Sequence, residues 1–319
     1  MLLIVTQRGD YHADWVVLEL HARGVPFLRF NTEDYPVAAG LDWTSSGEAH
    51  LTIRGDRLSL NEVDAVWYRR PVPPVMSSDL PAAQAAWAQS EAREALMGAW
   101  RTLDALWVNH PDRNRVAESK PLQLRAALEL GFEVPESLVS NSRAAVGAFL
   151  DTHPGAVICK PLYDGRVPIG GEEQLFFTSR VDPDVVSLRA LGPEPYLFQE
   201  LIPKLCDIRV TVIGEQVFAA SIDSQQAEHT QIDWRRSHPG ELDHAVFELP
   251  EDVAAQCVAL CGRFGLHFGA IDLALRPDGA FTFFEVNPNG QWAWVEQRTG
   301  LPLRAQMVSL LASGRNSGV

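Results

Sequence analysis

The stretch that decides the fold is FTFFEVNPNGQW, residues 281–292. It follows GAIDLALR, residues 269–276, and the Pro277-Asp278-Gly279 between the two is typical of a tight turn. The two runs therefore predict an antiparallel hairpin. A carboxylate near the end of a buried strand contributes nothing to a core, so Glu285 must meet a polar partner or a cation.

The turn predicts which side chains face each other across this hairpin. With the turn centred between Asp278 and Gly279, Asp272 lies directly opposite Glu285, with Cβ atoms about 5 Å apart. Asn287 is two residues further on and shares that face. This register requires an even-numbered loop, and a bulge would break it.

Opposed like charges destabilise a sheet, so a shared proton, nearby cations or a hard metal must relieve the pair. Because the candidate ligands are all oxygens, the favoured metal is magnesium, held by Asp272, Glu285 and Asn287. The alternative is that both acids lie on a solvated face. The apolar residues expected to hold the hairpin against a core instead are Ile271, Leu273, Phe284 and Val286.

Magnesium with a phosphate substrate requires cations elsewhere. Lys160 is the one lysine of the apolar strand AVICKPL, and Lys120 in ESKPLQL stands at the start of a helix. A buried ammonium favours an anionic partner, so both lysines are candidate phosphate ligands. The alternative for each is a surface or snorkelling side chain. Gly170-Gly171 could add backbone N–H groups for phosphate.

The segment YLFQELIPKLCDIRVTVIG, residues 196–214, adds two further features. Glu200 and the backbone of Ile202 come where an apolar strand stops before a proline, and an exposed backbone edge with apolar walls can bind an adenine. Asp207 and Arg209 alternate on the next strand and share a face, for which the alternative explanation is an ion pair between the two.

Composition excludes several classes of protein. The net charge of −14 over 319 residues disfavours tight binding to nucleic acid but suits a partly basic peptide. No apolar run approaches the roughly 20 residues that span a bilayer, and no signal peptide precedes the first strand, so we expect a cytoplasmic protein without a membrane partner. The four cysteines form no CxxC pair and are expected to be buried small hydrophobes.

Alternating apolar runs and helical spacing predict an α/β protein. Residues 1–112 read as a small α/β domain with a partly parallel sheet, including turns at Ser46-Gly47 and Gly55-Asp56. Its long helix is predicted over 82–106. A second block follows, in which helices are predicted at about 119–130 and 250–264 before a closing helix at 302–312.

Taken in order, the polar residues of the second block resemble the nucleotide and magnesium signature of the ATP-grasp superfamily, over residues 113–312. The ordered set is Lys120, Lys160, Glu200, Arg209, Asp272 and Glu285-x-Asn287. Five further stretches resemble a narrower family, the ATP-grasp ribosomal peptide maturases or graspetide (omega-ester-containing peptide) synthetases, of the actinobacterial type. These are AVWYRRP (65–71), WVNHP (107–111), KPLQLRAALELG (120–131), DWR (233–235) and NPNGQW (287–292).

This resemblance implies an ATP-grasp fold over 113–319, with a lid-like subdomain at about 135–200 and a metal-binding subdomain at about 201–312, preceded by a pre-ATP-grasp domain over 1–112. It also implies a reaction. ATP phosphorylates an Asp or Glu side chain of a ribosomally made precursor peptide, and a Ser or Thr hydroxyl or a Lys amine attacks the acyl phosphate. An ester or amide crosslink forms, with release of ADP and phosphate.

The resemblance assigns roles to single residues. Lys120 and Lys160 bind phosphates, Glu200 and Ile202 the adenine, and Asp207 the region of the ribose. Arg209 faces the γ-phosphate and the developing acyl phosphate, and Arg235 grips the substrate carboxylate or an oxyanion. Asp272, Glu285 and Asn287 hold two magnesium ions, with Asn289 assisting.

The expected partners are ATP, Mg²⁺, a precursor peptide with leader and core regions, and a second copy of the chain in a homodimer. Two other functions stay open on the sequence. One is an ATP-grasp ligase joining small amino acids or peptides, and the other is a non-catalytic scaffold that binds ATP or peptide. The absence of GxSxG and HExxH patterns disfavours serine and zinc hydrolases.

Overall fold

The chain forms two compact units in the computed structural model. The first comprises residues 1–111, 291–293 and 302 onward, and the second comprises 112–290 and 294–301. The residues that the structure describes are 1–153, 157–163, 165–169, 172–181, 192–238 and 240–314.

The first unit contains a parallel sheet and a small antiparallel sheet. Its strands are β1 (Leu2–Thr6), β2 (Phe27–Asn31), β3 (Ala39–Trp43), β4 (Ala49–Ile53), β5 (Asp56–Ser59), β6 (Ala65–Tyr68) and β7 (Leu106–Val108). The parallel sheet has the order β2-β1-β6-β7, and β3, β4 and β5 form an antiparallel meander. The predicted partly parallel sheet and the strands flanking both predicted turns are confirmed.

The first two helices of the chain also belong to this unit, α1 (Tyr11–Ala22) and α2 (Ala82–Arg101). α1 begins at Asp10, whose carboxylate accepts the backbone N–H groups of His12 and Ala13 and so caps the helix. α2 ends five residues before the predicted position, because Leu106 turns extended and joins the buried strand β7. Tertiary pairing overrides helical spacing at that end.

The second unit holds the remaining strands and most of the remaining helices. The strands are β8 (Ser137–Ser140), β9 (Val157–Lys160), β10 (Arg166–Ile169), β11 (Glu172–Leu175), β12 (Ser179–Arg180), β13 (Tyr196–Glu200), β14 (Cys206–Ile213), β15 (Gln216–Ile222), β16 (His244–Val246), β17 (Phe268–Leu275) and β18 (Phe281–Asn287). The helices are α3 (Pro111–Ala117), α4 (Lys120–Glu129), α5 (Arg143–Thr152), α6 (Glu251–Arg263) and α7 (Ala293–Thr299), and α8 (Leu303–Ser313) follows in the first unit.

Two antiparallel sheets organise this unit. One has the order β12-β9-β13-β8, and the other has the order β16-β15-β14-β17-β18. Along β14 every second residue, Ile208, Val210 and Val212, is fully buried in a core that includes Cys257 and Leu260 of α6. Each such side chain contributes about 1.5–3 kcal/mol when it leaves water. The polar residues of β14 are thereby directed to the opposite face of the sheet.

The structure also tests the predictions made for the cysteines, for two helices of the second unit and for membrane-spanning segments. All four cysteines are free thiols, with Cys257 and Cys261 buried as expected and Cys159 and Cys206 only half-buried. The helices predicted at 119–130 and 250–264 are confirmed as α4 and α6. Within the described ranges no helix has the length and apolar character needed to span a membrane. The domain boundaries drawn from the sequence stay a prediction.

A buried cluster of polar groups around His12 holds the backbone of residues 292–293 in the first unit. The His12 ring is buried, and its Nε2 accepts the backbone N–H groups of Trp292 and Ala293 at 3.1 and 3.2 Å. Its Nδ1 lies 3.5 Å from Asp10, which also pairs with Arg69. Burial lowers the pKa of His12 from its ordinary 6.5, although the hydrogen bond with Asp10 opposes that shift. The ring is therefore neutral, as an acceptor must be.

This arrangement predicts an acid-sensitive contribution to stability. The unfolded chain protonates His12 below about pH 6.5 while the folded chain does not, so the contribution is present above that pH and is lost as the pH falls through the window beneath it. We expect His12→Gln to be less stable than wild type at pH 7.5, by a difference that shrinks toward pH 5. Urea unfolding at several pH values measures this. A constant difference across that range would contradict it.

Candidate active site

Three neighbouring strands bring the central charged residues side by side. β14 pairs with β17 so that Arg209 lies opposite Asp272, and β17 pairs with β18 so that Asp272 lies opposite Glu285. The row Arg209–Asp272–Glu285 thus crosses the sheet on the face turned away from the α6 core. The predicted opposition of Asp272 and Glu285 is confirmed.

The loop length and the strand pairing that produce this opposition differ from those predicted. Leu275 pairs with Phe281, so the loop between them, 276–280, has an odd number of residues. The register then shifts by one between Leu273 and Asp272, with Phe284 as the extra residue of β18. The odd loop and this bulge compensate each other, which restores the predicted pairing.

The bulge also decides where Phe284 points. We expected Phe284 in the core, but that expectation is wrong, since it is Phe283 that is fully buried there. The ring centroid of Phe284 lies 5.9 Å from Lys160 Nζ and 5.8 Å from Lys204 Nζ. The bulge therefore places an aromatic face next to Glu285, within range of two ammonium groups.

Cations balance the opposed acids, so the alternative of a solvated acidic face is wrong. Lys120 forms an ion pair with Glu285, and its charge lowers the pKa of Glu285 well below the ordinary range despite burial. Burial raises the pKa of Asp272 to about 6, with Arg209 opposing the rise and Glu285 adding to it. Both carboxylates are ionised at neutral pH and attract further positive charge.

Lys160 is the second lysine of the cluster. It ends β9 as a buried side chain, and burial lowers its pKa to about 8, with the charge of Glu285 opposing. The alternative of a surface or snorkelling position is therefore wrong for Lys160. Lys120 is only about one-sixth exposed and bonded to Glu285, so it is not a surface lysine either.

Arg209 has the geometry of an anion ligand. Its Nη1 lies 3.2 Å from Asp272 Oδ1, while its buried Nε has no hydrogen-bond partner among the described residues. The guanidinium carbon lies 5.5 Å from the Trp234 ring centroid and 5.7 Å from that of Trp294. The aromatic faces add no second negative charge, so the guanidinium is only partly balanced, by Asp272, and can attract a further anion.

The Asp207–Arg209 ion pair considered on the sequence is wrong. Both oxygens of Asp207 bond Lys204 Nζ, at 2.8 and 2.7 Å, and Arg209 pairs with Asp272 instead. Burial raises the pKa of Asp207, against the effect of Lys204. Sequence reasoning missed Lys204, although its i, i+3 spacing to Asp207 was a usable signal.

The residues predicted to meet an adenine lie at the end of β13 and on the segment that joins it to β14. Glu200 is the last residue of β13, which ends two residues before the position next to Pro203 expected from the sequence, and its N–H donates to Glu136 O. Ile202 follows in irregular backbone and is half-buried. Gly170-Gly171, the predicted phosphate-binding glycines, lie outside the described residues.

Arg235 is held by Asp233 of the same DWR motif. Its guanidinium bonds both carboxylate oxygens of Asp233, at 2.8 and 2.6 Å, and this hydrogen bonding raises the pKa of Arg235. Asp233 is buried and also accepts the backbone N–H of Thr178. Arg235 keeps about half of its side chain exposed, so it can present a fixed cation to a partner.

The NPNG turn closes the site after β18. Asn287 is exposed and its Oδ1 accepts the N–H of Asn289 at 2.9 Å, while Gly290 N–H donates to Asn287 O at 3.2 Å. A side chain at Gly290 would collide with Ala270, the residue opposite Asn287. Glycine is required there because the turn folds back against β17.

The donor set fits a hard divalent cation. In the described parts of the chain no group of three His, Cys, Asp or Glu side chains is close enough to hold a metal. The candidate ligands are two opposed carboxylates and one amide oxygen, a set that suits magnesium because it keeps water and substrate phosphates in its shell. Transition metals preferring imidazole or thiolate would find no such ligand in this row.

The contact at Gly290 makes a prediction about stability. We expect Gly290→Ala to destabilise the protein by about 1–3 kcal/mol, because the added Cβ overpacks the turn against Ala270. The matched control is Gly262→Ala in α6, where a Cβ would meet nothing within 4 Å. The control should be neutral or more stable by up to about 1 kcal/mol. Equal unfolding midpoints in urea for the two variants would contradict this reading.

Comparison with known proteins agrees with this geometry. The family described as "MvdD pre-ATP grasp domain" matches residues 1–115. No curated protein matches the chain at a significant level.

Several solved structures match over nearly the whole chain. The macrocyclase MdnC from Microcystis aeruginosa MRC, bound with the precursor peptide MdnA, is 29% identical with a TM-score of 0.86, covering 98% of this chain and 99% of that one. A Chryseobacterium gregarium RiPP-associated ATP-grasp ligase, in complex with ADP and a leader and core peptide, is 28% identical with a TM-score of 0.90, covering 98% and 96%. The macrocyclase MdnB from Microcystis aeruginosa MRC is 28% identical with a TM-score of 0.80, covering 98% and 99%.

The resemblance drawn from the sequence motifs is thereby confirmed at the level of the whole fold. A row of balanced charges on an antiparallel sheet, a matching N-terminal domain and end-to-end similarity to peptide-modifying ligases lead to one conclusion. Residues 1–115 match a pre-ATP-grasp domain, and the chain as a whole is similar in sequence and fold to ATP-grasp macrocyclases and ligases that act on ribosomal peptides.

Proposed function

We propose that the chain is an ATP-dependent peptide macrocyclase. It activates Asp or Glu side chains of a ribosomal precursor peptide as acyl phosphates and joins them to Ser or Thr hydroxyls, as esters, or to Lys amines, as amides. ADP and phosphate are released. The observation that carries the proposal is the charged row Arg209–Asp272–Glu285 beside Lys120 and Lys160, in a chain similar throughout to peptide-bound ligases.

The oxygen ligands define the metal-binding part of the site. Asp272, Glu285 and Asn287 would hold Mg²⁺, which we take to number two ions, with Asn289 adjoining. When bound, the metal neutralises phosphate charge and aligns the γ-phosphate for transfer. The protein's own contribution is to keep two ionised carboxylates at a fixed separation on paired strands, so that the ligands need no rearrangement on binding.

The nucleotide contacts follow from the cations and the β13–β14 segment. Lys120 and Lys160 bind phosphate oxygens, and Glu200 with the backbone of Ile202 holds the adenine. Asp207 lies toward the ribose, its orientation fixed by Lys204. Because Lys160 has a pKa of about 8, it is mostly charged at neutral pH and offers its full attraction to phosphate.

Two arginines act on the transferring group. Arg209, flanked by Trp234 and Trp294, donates hydrogen bonds to the γ-phosphate and to the acyl phosphate that forms from the peptide carboxylate. Arg235, held by Asp233, binds the peptide carboxylate before transfer and the developing oxyanion afterwards. Preorganised donors of this kind stabilise charge that appears in the transition state.

The partner is a precursor peptide with leader and core regions. A protein with a net charge of −14 attracts peptide segments that carry basic residues, so steering favours a leader with lysines or arginines. We further propose that the enzyme acts as a homodimer in the cytoplasm.

The decisive test is to search the neighbouring reading frames for a leader-bearing precursor peptide and to measure its conversion by this enzyme. With ATP and Mg²⁺ the peptide should lose the mass of one water for each bond formed, by mass spectrometry. Asp272→Asn combined with Glu285→Gln should lower turnover about 100-fold or more, because metal and charge alignment are lost. The matched control is Glu251→Gln combined with Asp252→Asn, exposed acids at the start of α6, which should retain wild-type turnover.

Two outcomes would overturn the proposal. Equal turnover of free amino acids and of the leader-bearing peptide would favour the small-molecule ligase. Wild-type turnover of the doubly substituted enzyme would exclude the metal site.

The tryptophans around Arg209 make a separate prediction. Trp294→Leu removes one aromatic face, worth about 0.5–2 kcal/mol of cation–π attraction, and should lower kcat several-fold with little change in KM for ATP. Trp294→Phe should retain most of kcat. The control is Trp15→Leu in the first unit, whose ring stacks on Arg304 at 5.4 Å. If the Leu and Phe variants at 294 were equally active, the aromatic faces would have no such role.

A further inference from the structure

Gln123 is a buried side chain that bonds the backbone of the metal-binding strand. Its Nε2 donates to Val286 O at 2.9 Å and its Oε1 accepts Val286 N–H at 3.0 Å. Nε2 also donates to Ala117 O at 2.5 Å, and only 2% of the residue is exposed. The amide thus uses both donors and its acceptor inside the protein, which is what a buried glutamine requires.

The Gln123 side chain makes the hydrogen bonds that a further strand beside β18 would otherwise make. Among the described strands β18 is the outermost of its sheet, and it pairs with β17 on its inner side. Val286 directs its N–H and C=O outward, where a further strand would meet them with one donor and one acceptor. The Gln123 amide supplies that same pair of groups and so satisfies an edge that is otherwise costly to bury.

The bonded groups belong to the two peptide planes that flank Val286. The Val286 N–H is part of the plane shared with Glu285, and the Val286 C=O is part of the plane shared with Asn287. Fixing both planes restricts the backbone between the two candidate metal ligands, Glu285 and Asn287. One side chain therefore orients both ligands without touching a substrate.

The neighbouring bulge makes this restraint necessary. β18 gains its extra residue at Phe284, immediately before Glu285. Without a bulge the strand would keep its earlier register, and Glu285 would face the core that Phe283 occupies. Gln123 holds the chain two residues beyond the irregularity, where the pairing that brings Glu285 opposite Asp272 begins.

The same helix carries both contacts to β18. Lys120, three residues before Gln123 on α4, pairs with Glu285. Residues three apart lie on one face of a helix, so α4 faces the strand with a charged contact and a hydrogen-bonded contact. One turn of α4 therefore fixes the position of Lys120, the predicted phosphate ligand, relative to β18, which carries the candidate metal ligands.

We propose that Gln123 is a positioning residue for the magnesium ligands, an inference that rests on the proposed function of Glu285 and Asn287. It acts by fixing the Val286 peptide groups and by maintaining the bulged register. Residues that orient metal ligands from behind commonly change metal affinity by about 10–100-fold when they are replaced.

The test compares Gln123→Met with wild type in the full chain. ADP binding is titrated against Mg²⁺, and the Mg²⁺ concentration at half-maximal binding should rise about 10-fold or more. Amide hydrogen exchange over residues 285–287 should become about 10-fold faster, because two hydrogen bonds to that segment are lost. The matched control is Gln256→Met, which removes a glutamine donating to Leu130 O at 3.2 Å and should change neither quantity.

A purely structural role gives a different result. If folded Gln123→Met binds ADP with the wild-type Mg²⁺ dependence, the inference is overturned, whether exchange over residues 285–287 becomes faster or stays at the wild-type rate. Should the variant not fold, wild-type exchange decides instead. The Val286 amide must then be protected like the amides of β17, and exchange as fast as an exposed edge would overturn the inference.

The two proposals fail in distinguishable ways. Wild-type protein whose ADP binding does not respond to Mg²⁺ would refute the metal site, while hydrogen exchange would still report on the Gln123 contact. A normal Mg²⁺ response in both wild type and Gln123→Met would leave the metal site standing and remove the role of Gln123.

Discussion

Two carboxylates held opposite each other on paired strands are the constraint from which the rest of the site follows. Asp272 and Glu285 cannot separate without breaking the β17–β18 pairing, and burial strengthens their repulsion. Positive charge must therefore converge on them. The lysines at 120 and 160 and the arginine at 209 do so from three different elements, as the proposed binding of a metal-bound triphosphate requires.

The backbone around the pair is shaped by the same requirement. An odd loop and a one-residue bulge together bring Glu285 opposite Asp272, and the bulge turns Phe284 toward the lysines instead of the core. On the other side of β17, Arg209 is held by Asp272 and two indoles, which leave its charge unneutralised on one side. The strand register thus decides both which charged side chains face each other and which aromatic rings lie beside the cations.

Local patterns predicted the parts of this site that depend on periodicity. Turn residues and alternation gave the correct opposition of Asp272 and Glu285 because two unpredicted features, the odd loop and the bulge, compensate each other, and a lone lysine in an apolar strand correctly indicated a buried cation. Contacts between residues distant in sequence were not predictable in this way. Gln123 lies 163 residues from Val286, and nothing near it indicates an edge strand. The core position assigned to Phe284 failed because alternation carries no sign of a bulge.

The central claim is that the opposed acids hold a divalent cation with nucleotide. Crystals of the protein grown with ADP and Mn²⁺, which replaces Mg²⁺ at oxygen sites, test it through anomalous scattering. The account predicts a manganese peak at coordinating distance, about 2.0–2.3 Å, from carboxylate oxygens of both Asp272 and Glu285. Bound nucleotide with both side chains in place and no peak between them and the phosphates would contradict it.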